Sequence, residues 1–68
     1  MRYRHEAVRF LREQRGLRID ALAVKARISV RQLRYLEHGS IPKADTLGRL
    51  ARALGVGVEA FFQNGGSR

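Results

Sequence analysis

IDALAVKARISVRQLRYLEHG, spanning Ile19 to Gly39, is the stretch whose reading decides the fold. Leu22, Ala23 and Ala26 fall on one face of a helix of about Ile19 to Ala26. Ile28, Leu33 and Leu36 make a second apolar face, also in helical phase, with a break between the two. Ser29 is a strong N-cap for the second helix, and Gln32 three residues later completes a capping-box pattern. That helix ends at Glu37 or His38, before Gly39. The spacing thus predicts two short helices joined by a tight turn, the second carrying Arg31, Arg34 and Tyr35.

Working outward, a first helix is expected from about Arg4 to Gln14. Ala7, Val8 and Leu11 form its apolar stripe, with Phe10 at the edge and Gly16 as the stop. On the C-terminal side, Gly39 to Lys43 reads as a loop, with Pro42 near the start of the next element. A fourth helix is expected over about Ala44 to Leu54, where Leu47, Leu50, Ala51 and Leu54 fit an amphipathic template. Val56, Val58, Phe61 and Phe62 follow Gly55 as a short apolar segment with a last helical turn or two. No strand-like alternation persists and no repeat is present. The reading is a single all-α domain over residues 1–63, a compact bundle of five short helices, followed by a frayed tail over 64–68.

Composition narrows the function. The 68 residues carry 14 Lys and Arg against 6 Asp and Glu, a formal charge of +8. Residues 1–35 hold +7 of it, so the excess lies in the half with the paired helices. A surface of this sign attracts polyanions. There is no cysteine, and His5 and His38 do not form a metal-ligand pattern. No apolar run reaches the roughly 18 residues of a membrane span. The basic start MRYRHEAVRF has no apolar core segment of a signal peptide. A cytoplasmic protein is expected, with no cofactor, metal or small-molecule ligand. No phosphate-cradling glycine loop or cysteine nucleophile is present, and Glu37-His38 reads more simply as a helix end than as a catalytic pair. An enzyme is therefore not expected. Nonspecific single-strand binding wants several exposed aromatics for base stacking. Tyr3 and Tyr35 are the only tyrosines, so that reading ranks low.

Two short helices in this layout, on a chain this basic, match a helix-turn-helix, whose second helix enters the DNA major groove. From about Val8 to Phe62 the chain also resembles the phage-repressor and Cro-like (lambda repressor-like) helix-turn-helix domains. The resemblance is carried by LREQRGL (11–17), Leu22-Ala23, Ser29, Leu33, LEHG (36–39), Pro42, Thr46-Leu47 and LARALGV (50–56). It implies a five-helix fold with helix three as the recognition helix. It implies a partly buried structural ion pair between Arg12 and Glu37. It implies that base-reading positions fall on Val30, Arg31 and Tyr35. Arg31 is the first choice, because its fork can bind guanine O6 and N7 together. Val30 can pack on a thymine methyl, and Tyr35 can meet a base or a phosphate.

Backbone contacts are expected from Arg18 at the amide end of helix two, from Ser29 and Gln32 beyond their capping role, and from His38, Ser40 and Lys43 in the following loop. Arg34 either reaches the backbone or is solvated. The chain departs from the resemblance at two positions. Ile19 stands where such domains often have Gln, and Arg27 where the turn usually has Gly. Arg27 either takes a left-handed conformation at some cost or sits in an altered turn.

The implied function is a sequence-specific regulator of bacterial or phage origin binding double-stranded DNA, a repressor before an activator, since occupancy alone blocks polymerase. A homodimer on two half-sites is expected, with Val56, Val58, Phe61 and Phe62 as the place for a self-contact. The alternative is a protein-interaction module, antitoxin-like or coactivator-like, with secondary DNA binding.

Overall fold

The computed structural model describes residues 2–63, so the expected tail over 64–68 lies outside the described residues. The order of elements is β1 (Arg2–Tyr3), α1 (His5–Gln14), α2 (Ile19–Ala26), α3 (Val30–Glu37), α4 (Ala44–Leu54), a 3-10 turn (Val58–Phe61) and β2 (Phe62–Gln63). Each helix presents one apolar face inward. α1 buries Ala7 and Val8, α2 buries Leu22, Ala23 and Ala26, and α3 buries Leu33 and Leu36. α4 buries Leu50, Ala51 and Leu54, and Phe61 from the 3-10 turn closes the same core. α2 packs against both α3 and α4, while α1 packs on α3, α4 and the 3-10 turn. Burying a side chain such as Leu33 completely contributes about 2 kcal/mol.

Three of the helix ends share one device. Gly16, Arg27 and Gly55 all adopt the left-handed conformation, with φ of 66°, 60° and 72°. At each, two amides fold back onto the last helical carbonyls: Gly16 and Leu17 onto Glu13 and Arg12, Arg27 and Ile28 onto Val24 and Ala23, Gly55 and Val56 onto Arg52 and Ala51. This is the Schellman arrangement, which satisfies carbonyls that the helix itself leaves open. Glycine enters it freely, whereas a side chain there costs about 1 kcal/mol. Arg27 therefore takes the strained alternative rather than an altered turn. Two arginines complete the carbonyl accounting. Arg15 Nε donates to the Leu54 carbonyl at 2.6 Å, and Arg49 Nε donates to the Ala26 carbonyl at 3.1 Å.

The architecture corrects the expected bundle of five helices in two respects. Four α-helices form, and the apolar segment after Gly55 makes one four-residue 3-10 turn in place of a fifth. In addition, Arg2–Tyr3 and Phe62–Gln63 pair as a two-stranded antiparallel ribbon, with Tyr3 opposite Phe62. The ribbon continues into a bond from the Arg4 amide to the Phe61 carbonyl at 2.7 Å. The Tyr3 and Phe62 rings meet edge to face, their centroids 5.8 Å apart. Among the described residues the Tyr3 hydroxyl is buried without a hydrogen-bond partner, and burial raises its pKa above the ordinary 10.0.

The candidate nucleic-acid interface

α3 begins where Ser29 leaves the extended conformation. Its Oγ accepts the Gln32 amide at 2.9 Å, the N-cap bond that the sequence pattern anticipates. The reciprocal half of the capping box, a bond from the Ser29 amide to the Gln32 side chain, is not formed among the described residues. Gln32 is exposed. The Ser29 hydroxyl spends an acceptor site on the cap and keeps its O–H free to donate, so capping and phosphate contact are compatible.

From this start the 3.6-residue period divides α3. Leu33 is 0 % exposed and Leu36 4 %, which sends Arg31, Arg34 and Tyr35 to the opposite side; Tyr35 is 60 % exposed. Val30 lies between the two sets, half-buried against the core, so only part of its side chain faces outward.

The helix is locked from behind. Arg12 on α1 donates from Nε and Nη2 to the two Glu37 carboxylate oxygens, at 2.7 and 3.1 Å, and from Nη1 to the Leu17 carbonyl at 3.0 Å. Only 12 % of the Arg12 side chain and 5 % of the Glu37 side chain are exposed. The hydrogen bonds to Glu37 hold the Arg12 guanidinium above its ordinary pKa, against the opposing effect of burial. The pair is structural: it points away from solvent and fixes the C-terminal end of α3 to α1.

Beyond α3 the chain turns back. The His38 Nδ1 lies 2.7 Å from the Arg34 carbonyl, and because a carbonyl only accepts, the proton sits on Nδ1. Gly39 takes a φ of 125°, and the Ser40 amide bonds the Tyr35 carbonyl at 3.0 Å. This brings the loop alongside the helix. Gln32, Tyr35, Ser40 and Lys43 line one concavity of about 410 Å³ with Ile41 and Asp45. Four of the residues singled out in the sequence thus share a surface, with Lys43 as the exposed N-cap residue of α4. Ile41, 76 % exposed on its rim, was not anticipated, because a lone apolar loop residue carries no periodic signal.

The amide end of α2 is less open than expected. Arg18 is exposed at the N-cap position, 3.7 Å from the Asp20 carboxylate. Asp20 Oδ1 also accepts the Ala21 amide at 2.9 Å. An incoming phosphate would compete with this carboxylate for the first-turn amides. Ile19 packs against the core and does not reach outward, which accounts for an apolar residue at that position.

Of the four residues named for a self-contact, Phe61 is 0 % exposed and is corrected to a core residue. Val56 and Phe62 pack partly against the core, and Val58 alone is well exposed. Among the described residues there is no cluster of three or more potential metal ligands, and no helix is long and apolar enough to cross a membrane.

Comparison with known proteins agrees with this architecture. The profile of the HTH_3 helix-turn-helix family matches residues 8–61. The chain is similar to an HTH_3 family transcriptional regulator from Vibrio cholerae, at 36 % identity and a TM-score of 0.79 over 85 % of this chain and 33 % of that one. It also superposes on the N-terminal DNA-binding domain of SinR from Bacillus subtilis, at 20 % identity and a TM-score of 0.79 over 94 % and 96 % of the two chains. SinR in complex with DNA gives 23 % identity and a TM-score of 0.76 over 81 % and 90 %. The chain spans one third of the length of the Vibrio regulator. No curated protein sequence matches it. With its α2–turn–α3 unit, its Arg12–Glu37 lock and a family profile that covers most of its length, the chain belongs to the Cro/C1-type helix-turn-helix family, HTH_3.

Proposed function

We propose that this domain is a non-enzymatic, sequence-specific regulator of transcription that places α3 in the DNA major groove and represses by occupancy. The observation that carries the reading is the division of α3. A helix anchored by Leu33, Leu36 and Glu37 turns Arg31, Arg34 and Tyr35 outward on a chain of charge +8. The SinR structure in complex with DNA, which shares the fold, supports DNA as the ligand.

In this mode Arg31 reads a base edge, Val30 and Tyr35 flank it, and Arg18, Ser29, Gln32, Arg34, His38, Ser40 and Lys43 hold the backbone. Phosphate contacts set position and affinity, and base contacts set sequence preference. One module of this size covers few base pairs, so a homodimer on two half-sites about one helical turn apart is part of the proposal. Exposed Val58 is the residue best placed for its interface.

Selection of bound duplexes from a random pool tests the reading. A preferred half-site should emerge, and Arg31→Ala should flatten the preference at one base position, costing about 1–3 kcal/mol of discrimination. Equal binding of every duplex by both proteins would overturn it.

A further inference from the structure

A second basic surface shares no lining residue with the outer face of α3. A concavity of about 400 Å³ between α2 and α4 is lined by Lys25, Arg27, Arg49, Arg52 and Ala53. It adjoins another, of about 330 Å³, that shares Lys25, Arg52 and Ala53 and extends to Arg15 and Leu17. No carboxylate lines either one. Arg49 is already engaged, by the Ala26 carbonyl and by Asp45 at 3.5 Å. Lys25, Arg27 and Arg52 are exposed and make no ion pair among the described residues.

The groove is lined by residues of α2, α4 and the turn after α2, and by none of the α3 residues assigned to DNA. The fold also holds Arg27 there at the cost of a left-handed backbone. The concentration of like charge calls for an anionic occupant. The lining identifies its kind. Half-buried Ala53 lines both concavities, and half-buried Leu17 lines the second. A phosphodiester backbone has nothing to bury on such a surface. A peptide with carboxylates and apolar side chains satisfies both parts.

We propose that the groove between α2 and α4 is a docking site for an acidic protein segment with apolar side chains among its carboxylates. This surface is separate from the one assigned to DNA, so the two can be occupied together.

The test measures fluorescence anisotropy of a short labelled peptide that alternates glutamate and leucine. The intact protein should bind it. Reversing two exposed cations, Lys25→Glu with Arg52→Glu, should raise Kd about tenfold, with the melting curve and the affinity for duplex DNA retained at high salt. A peptide with serine in place of leucine should bind more weakly, and saturating duplex DNA should not displace the leucine peptide. Three results would overturn the proposal. They are an unchanged Kd on charge reversal, equal binding of the serine peptide, or displacement by duplex DNA, which would make the groove a nucleic-acid surface.

Discussion

Arg12 and Glu37 are joined by two parallel hydrogen bonds across 25 residues of sequence, in a position where both side chains are largely withdrawn from water. Such a pair is worth less as a source of stability than as a constraint, because desolvation offsets much of the Coulomb attraction. Removing one partner is another matter. Arg12→Ala or Glu37→Ala leaves a charge without its counterion and should cost about 3 kcal/mol in urea unfolding. Replacing both, as Arg12→Met with Glu37→Leu, should cost far less than either single change. Additive losses in that double-mutant cycle would show that the two side chains act independently.

Tyr3 offers the opposite case, a polar atom whose removal helps. Its hydroxyl is buried and, among the described residues, unpartnered, so Tyr3→Phe should stabilise the domain by about 1 kcal/mol. The same site sets an alkaline limit. The folded pKa is raised, so the protonated phenol's contribution is full below the unfolded value of 10.0 and is lost as pH rises from there through the folded value. Denaturation curves at rising pH should show this loss in the parent and not in Tyr3→Phe.

Arg27 stands in the backbone geometry that Gly16 and Gly55 occupy at the other two Schellman ends. Arg27→Gly should therefore raise the midpoint of chemical unfolding, corresponding to about 1 kcal/mol. A loss of stability would mean that the side chain contributes more than the strain it imposes.

Lys43 is exposed at the start of α4 and shares a concavity with Tyr35 and Ser40. If it neutralises one phosphate, Lys43→Gln should weaken binding to all duplexes alike. It should also lower the slope of log affinity against log salt by about one. A change confined to one sequence would reassign Lys43 to base reading.

The sequence carried the helices well where periodicity and end signals coincide. Ile19–Ala26 and Ala44–Leu54 are bounded as their apolar spacing implies, and Ser29 marks the start of α3. The division of α3 follows from the same spacing, since Leu33 and Leu36 can only face the core if Arg31 and Tyr35 do not. The ribbon of β1 and β2 escaped because two residues are too few to establish an alternation and their partners lie at the far end of the chain. Val58–Phe61 was legible as apolar and not as 3-10, because four residues after two glycines give no helical period. Asp20 has no part in the apolar spacing, and only the folded helix places its carboxylate on the Ala21 amide. The α2–α4 groove is likewise a product of packing: Lys25 and Arg52 are 27 positions apart, and no local pattern joins them.

The antiparallel pairing of Arg2–Tyr3 with Phe62–Gln63 brings the first and last described residues side by side, next to the 3-10 turn. The domain therefore has a single point of tether. Anything fused ahead of Arg2 or beyond Gln63 departs from the same place, and its leash length alone sets how far it ranges while α3 stays at its site.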